Sequence, residues 1–311
     1  ESGATTHGGV LSGCIEYFRG HGVEKISVIE GSWVGDETMR AMRRAGYDKI
    51  CKAYNVPFYD LKKDVVRPLK TAIGPIDVCC RALDAGLLVD LPVLKGHCQT
   101  LMTCALKNLK GCLPDKEKRR FHALGLQKPI AALGAALKPR LIVVDSICGD
   151  LDFEEGGTPV QTNRMYLGTD AVQLDAYGCA LMGIDPQSVP YIEWAQRFGG
   201  GSMAWSMEDV TELNRPDDAP AYPKQSGTVA GLTRNIHENE ACSACFASLV
   251  RALYTTGARP EQNVYIGQGW QGKALDGLGI GKCCRGAKNC VMGCPPTADK
   301  IAQKLEKMNW K

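Results

Sequence analysis

No stretch of the chain stays apolar for the roughly 18 residues that a membrane span requires, so a membrane-spanning protein is not expected. The net charge is only +3, too small to mark a nucleic-acid or membrane-surface partner. Internal repeats, low-complexity tracts and a secretory leader pattern are also missing, which sets aside solenoids and tethered arrays. There is no G-x-S-x-G elbow and no His-rich zinc protease motif, so two large hydrolase classes drop out. What remains is an ordinary globular composition, 44% hydrophobic and 23% charged over 311 residues. That is enough chain for one large or two smaller packed units.

Cysteine is the residue in excess. The chain has 15, an odd number in a protein with core residues to spare, so a disulfide framework is a poor fit. A reducing cytoplasm with cysteine used for metal ligation fits better. Cys14, Cys51, Cys79, Cys80, Cys98, Cys104, Cys112, Cys148 and Cys179 are scattered, and most read as small buried hydrophobes.

Short apolar runs alternate with helical patterns through the first two-thirds. EKISVIEG (24–31), AGLLVDLPVL (85–94) and RLIVVDSICG (140–149) read as strands. Helical periodicity covers 8–22, the segment ending at Gly46, PIAALGAALK, and a helix capped by Thr169 or Asp170 and closed by Gly183. This alternation predicts an α/β fold, a mostly parallel sheet with helices on both faces, over residues 1–213. Ligands of such sheets bind at the carboxyl ends of the strands. Gly31–Asp36, Lys95–His97 and Asp145–Asp150 are therefore expected near one another. The Pro- and Asp-rich stretch 214–228 reads as a linker. Residues 229–311 form a smaller α/β region with a helix near 241–256, a strand at NVYIG and a final helix from about Thr297.

That smaller region holds the strongest motif. Cys242-Ser-Ala-Cys245 puts two thiols on the same side of a helix start, and Cys290-x3-Cys294-Pro matches the tail of a bacterial ferredoxin run. The CxxC lies 45 residues before Cys290, so this is no ferredoxin domain. A [4Fe-4S] cluster, or an all-cysteine zinc site, needs four thiolates. Cys242, Cys245 and Cys294 supply three, and Cys283, Cys284 or Cys290 the fourth. Adjacent Cys283 and Cys284 cannot both face one cluster without strain. The nearby GQGWQG (267–272) has the letters of a dinucleotide loop without the helix or the acidic residue, and reads as a loop over the cluster.

Residues 95–128 carry eight Lys or Arg against Asp115 and Glu117, a local charge of +6. A solvated helix face is one reading. A pocket for a carboxylate or phosphate is the other, because Lys95 and His97 follow a buried strand and Lys107-Asn108 sits in an apolar helix. In that pocket His97, Lys95 and Lys107 are the candidate catalytic residues. His7, Asn108, Lys116, Arg119 and His122 are the candidate substrate contacts.

The order ATTH, LPVLKGH, ALKNLKGCLP-KEK-RFH, IVVD, LGTDAVQLDAYGCALMGIDP over residues 3–190 resembles the DUF362 family, and the tail CSAC…GKC…GCPP is similar to the iron–sulfur-binding end of some of its members. The resemblance implies that the cysteine after Gly-Lys, Cys283, is the fourth ligand. It implies no particular reaction. Together these readings predict a cytoplasmic iron–sulfur oxidoreductase of low-oxygen settings, with a [4Fe-4S] cluster beside a basic pocket for a small anionic substrate. An electron donor or acceptor protein is its expected partner, and a homo-oligomer is left open. An electron-transfer or maturation protein, a Lewis-acid hydratase with an open iron, and a zinc-stapled protein are the alternatives.

Overall fold

The computed structural model describes residues 3–154, 158–214, 228–308 and 310. The expected linker lies, apart from its two end residues, outside the described residues.

Helix α1 (Gly8–Gly20) buries Val10, Leu11 and Ile15. Strands β1 (Val28–Glu30) and β2 (Phe58–Asp60) pair in parallel, with α2 (Thr38–Arg44) and α3 (Tyr47–Ala53) between them. Strands β3 (Val66–Thr71) and β4 (Gly74–Cys79) form a hairpin that leads into α4 (Cys80–Leu83). After the short strand β5 (Val89–Asp90) comes a second hairpin, β6 (Lys95–His97) and β7 (Leu101–Thr103). Three helices follow: α5 (Ala105–Asn108), α6 (Asp115–Ala123) and α7 (Gln127–Leu137). Strand β8 (Leu141–Asp150) pairs in parallel with β5 and antiparallel with β9 (Pro159–Gly168). Helix α8 (Ala171–Met182) starts at Asp170, whose carboxylate accepts the N–H groups of Val172 and Gln173, and ends at left-handed Gly183. Helix α9 (Pro190–Arg197) follows.

The α/β class is as expected, and the strands of residues 1–213 fall into several small sheets. Among the described residues there, strands pair in parallel at β1–β2 and β5–β8, Val93 adds a parallel bridge to Asp145, and the other strand pairs are antiparallel. The reason is legible in burial. β8 is buried along nearly its whole length, whereas β9 alternates between exposed and covered positions, the pattern of an antiparallel edge with one wet face.

The C-terminal region contains α10 (Thr228–Leu232), β10 (Ile236–Glu238), α11 (Ser243–Thr256), β11 (Val264–Ile266), β12 (Leu275–Ile280), β13 (Ala287–Val291) and α12 (Ala298–Lys307). Its four strands pair in sequence order and all in parallel. Strand β12 was hidden in the glycine-rich stretch. Only residues 267–274 and 281–286 return the chain from β11 to β12 and from β12 to β13, far shorter than the helical crossovers that usually join parallel neighbours.

Two main cores result. One gathers residues from Leu61 to Ala195, among them Phe121, Leu133, Ile142 and Tyr191. The other is built from α11, α12 and the four-stranded sheet, and takes in Phe153 and Cys98 from the first region. Phe153 packs on Tyr254 with ring centroids 5.1 Å apart, so the segment after β8 is stitched to the C-terminal unit.

Gly96 decides how that segment sits. A Cβ there would lie 2.2 Å from the Leu151 carbonyl oxygen, so only glycine lets β6 lie against residues 151–152. Gly96→Ala is expected to cost about 2 kcal/mol by overpacking, lowering Tm by roughly 5 °C. An unchanged melting curve would show that the contact is not tight.

Candidate functional site

The cysteines are brought together by strand register. Glu238 pairs with Ile266, Ile266 with Ile280, and Ile280 with Val291. Four parallel strands therefore end flush, and the four segments that follow them emerge on one edge. Cys242 and Cys245 follow β10, Gly267 and Gln268 follow β11, Gly281 and Cys283 follow β12, and Gly293 and Cys294 follow β13. All of these residues line one cavity of about 400 Å³, part of it open to solvent, with Val34 reaching in from the N-terminal region.

Cys242 is the N-cap of α11 and Cys245 lies in its first turn, where unpaired backbone N–H groups favour negative charge. Gly267, with φ at +124°, passes so close to Asn239 that a Cβ would fall 1.9 Å from its carbonyl oxygen. The loop over the cavity therefore needs glycine. Burial, then the neighbouring Cys283 and Cys294, push the Cys242 thiol up to about 11. Cys245 is pushed higher still, first by burial and then by Cys242 and Cys294. Such crowded thiols ionise together only around a cation, which is what a metal centre supplies. Cys284 is buried with Sγ 3.8 Å from the Gly267 carbonyl oxygen, and Cys290 sits 3.6 Å from that of Gly281. Neither is among the residues lining the cavity.

A basic cluster adjoins this cavity. Lys110 and Arg119 act electrostatically on Cys242, the Ser243 N–H donates to His122 Nε2 at 3.4 Å, and Gln99 donates to the Ala241 carbonyl at 2.9 Å. Lys107 donates to Thr103 Oγ1 at 3.2 Å. Burial, partly offset by Glu154, draws its ammonium down to about 8. Lys110 is also drawn well below the ordinary lysine value, by burial and then by Lys107 and Lys118.

The other expected residues land in varied roles. Lys95 Nζ donates to the carbonyls of Ala4 and Glu154. His97 is buried with Nδ1 accepting the N–H groups of Gln99 and Thr100 at 3.0 and 3.3 Å. Its proton therefore lies on Nε2, 3.3 Å from Glu154 Oε1. Burial and the surrounding lysines hold it neutral. With both ring nitrogens engaged, His97 orients Glu154. Asn108 donates to Asp90 Oδ1 at 2.7 Å. Lys116 is exposed. His7 caps α1 and donates its backbone N–H to Asp145. Lys118, which a solvated helix face would leave outside, is buried on the carbonyls of Gly31 and Ser32 at 2.7 Å.

The family description "Domain of unknown function (DUF362)" matches residues 1–180. The chain belongs to the DUF362 family. A relative, the thylakoid-associated protein sll1697 of Synechocystis sp., is 26% identical over 165 residues, half of each chain. The chain thus spans about half the length of the curated relative it matches. No solved structure matches it.

Sequence reasoning on this DUF362 protein missed Glu154, Cys98 and Lys110 as members of the site. Cys98 Sγ donates to Glu154 Oε2 at 3.0 Å, and with His97 these groups place three ligand atoms within 4.8 Å, a set that could hold a metal ion. The two N–H groups on His97 Nδ1 favour a hydrogen-bonded triad instead, because a metal would need the Nε2 lone pair. The acidic run after β8 was the signal for Glu154. For Lys110 the signal was its spacing of three from Lys107.

Lys107 carries a testable consequence. Its folded-state value, about 8, lies below the ordinary 10.5, so folding disfavours the charged form. That penalty is full below pH 8 and fades as pH rises toward the unfolded value. Lys107→Met is expected to raise Tm at pH 7, with the gain shrinking above pH 8. A gain independent of pH in thermal scans would contradict it.

Proposed function

We propose that this DUF362 protein is an iron–sulfur enzyme of the oxidoreductase class. In this reading Cys242, Cys245, Cys283 and Cys294 hold a [4Fe-4S] cluster, and the basic cluster beside them takes a small anionic substrate. The observation that supports it most is the flush ending of four parallel strands, which delivers four thiols to one cavity. The donor set fits the group: four sulfurs, a helix N-terminus and a glycine loop free of side-chain bulk. When bound, a cluster with four thiolate ligands supplies one-electron transfer.

The remaining chemistry belongs to the side chains. Lys107, near neutrality in its proton affinity, is suited both to pair with an anion and to move a proton. Thr103 Oγ1 orients its ammonium. Glu154, held by His97 Nε2 and by the Cys98 N–H at 3.2 Å, gives the pocket a fixed acceptor opposite the lysines. Arg119, beside Cys242, supplies permanent positive charge to the sulfur cavity.

Anaerobic purification is expected to yield a brown protein with about four iron and four sulfide per chain. Alanine at Cys242, Cys245, Cys283 or Cys294 should abolish or halve the iron content, while Cys284→Ala and Cys290→Ala keep it. A colourless zinc protein, or full iron after removal of both Cys283 and Cys284, overturns the assignment. Arg119→Met is expected to lower the midpoint potential by tens of millivolts, because a nearby cation favours the more negative reduced state. An unshifted potential in a titration followed by electron paramagnetic resonance would remove Arg119 from the site.

A further inference from the structure

Lys110 lies in the turn between α5 and α6 and is only partly exposed. No hydrogen-bond acceptor or carboxylate partner meets its ammonium among the described residues. It feels the repulsion of Lys107 and Lys118 and, more weakly, the attraction of Glu154 and Cys242. A partly covered cation in this position keeps only part of its water and has no counter-ion of its own.

His122, on α6, is only 6% exposed. Its Nε2 meets the Ser243 N–H at 3.4 Å, and the Ala241 carbonyl also lies against the ring; with Nε2 accepting from Ser243, the ring proton sits on Nδ1. That Nδ1 is buried and has no hydrogen-bond partner. Burial and the charges of Lys110 and Lys107 keep the ring neutral, so it carries a single N–H, and in the tautomer that accepts from Ser243 this is the Nδ1 donor. Orphaned buried donors are rare, and one beside two lysines calls for an acceptor that carries negative charge.

We propose that Lys110 and His122, with Lys107 beside them, form an oxyanion subsite abutting the cysteine cavity, built to receive a carboxylate or phosphate group. The subsite deepens the functional reading above, since it names where the anion sits. Lys95, His97 and Asn108 are committed to carbonyls, backbone N–H groups and carboxylates of the chain itself. The anion instead completes the groups that lack partners. The Ser243 N–H that meets His122 Nε2 belongs to the residue after Cys242, so the imidazole ring links the subsite to the segment that carries a cavity thiol.

The test is calorimetric titration of the full chain, purified anaerobically, with inorganic phosphate and separately with oxalate. Wild-type protein is expected to bind at least one of them, which distinguishes a phosphoryl from a carboxylate seat. Lys110→Met and His122→Leu should each weaken that binding about tenfold or more, the loss expected for a charge-assisted hydrogen bond. His122→Asn, whose amide restores a donor near the Nδ1 position, should recover most of it. Lys25→Met, at an exposed position, should leave it unchanged. Circular dichroism and iron content are read on every variant. If His122→Leu does not fold, Lys110→Met and the difference between His122→Asn and wild type decide. No binding of either anion by wild type, or equal binding by Lys110→Met and His122→Asn with no recovery pattern, overturns the subsite. Failure of the iron–sulfur reading is separate: it would appear as absent iron with anion binding intact.

Discussion

The register of four parallel strands is the constraint on which the site depends. Because β10, β11, β12 and β13 end at paired positions, their outgoing loops must share one edge, and cysteines more than 50 residues apart in the chain, from Cys242 to Cys294, line one cavity. A slip of one residue in any of these pairs would send alternate side chains to the opposite face of the sheet. It would strip Val264, Ile266, Leu278 and Ile280 from the core. Hydrophobic burial therefore holds the register, and the register holds the thiols. The short returns between β11, β12 and β13 tighten the arrangement, since six to eight residues leave little freedom to misplace Gly267 or Cys283.

The second constraint is electrostatic. Lys107, Lys110, His97 and His122 are gathered where burial lowers the proton affinity of each, and Glu154 is the acidic group that answers them in the triad. Such a site favours any negative charge that enters, because low polarity strengthens the attraction that water would screen. The cavity thiols pose the opposite problem: crowded sulfurs that cannot ionise together without a cation. Placing the two problems side by side, with Arg119 and Lys110 acting on Cys242 and Cys242 in turn on Cys245, lets each ease the other.

Much of this was readable in the chain. Asp170 as a cap, Gly183 as a stop, the long buried strand after Arg140 and the helix start at Thr297 all follow from local rules, and each appears as expected. The loop character of Gly267–Gly272 was also legible, because neither a helix nor an acidic partner follows it. Other features were not. β12 runs through Leu275–Ile280 with two internal glycines, a composition that local propensity assigns to a turn; packing in the sheet overrides it. β9 turned back on β8 instead of joining a parallel sheet. Lys118 could be counted only as part of a basic run, because nothing in the sequence reveals that Gly31 and Ser32 present carbonyls to it.

Local sequence was enough for the α/β class, the family resemblance and the cysteines that face the cavity, because periodicity, capping and short-range spacing are local properties carried by neighbouring residues. The resemblance pointed to Cys283, and the fold puts it, rather than Cys284 or Cys290, in the cavity lining; that Glu154 meets His97 and Cys98, and that His122 Nδ1 is left without a partner, came only from packing. Those outcomes depend on which segments the register and the two cores press together across more than 50 residues of chain, from His97 to Glu154 and from His122 to Ser243. No spacing along the chain encodes such a meeting; it arises only when buried surfaces are matched.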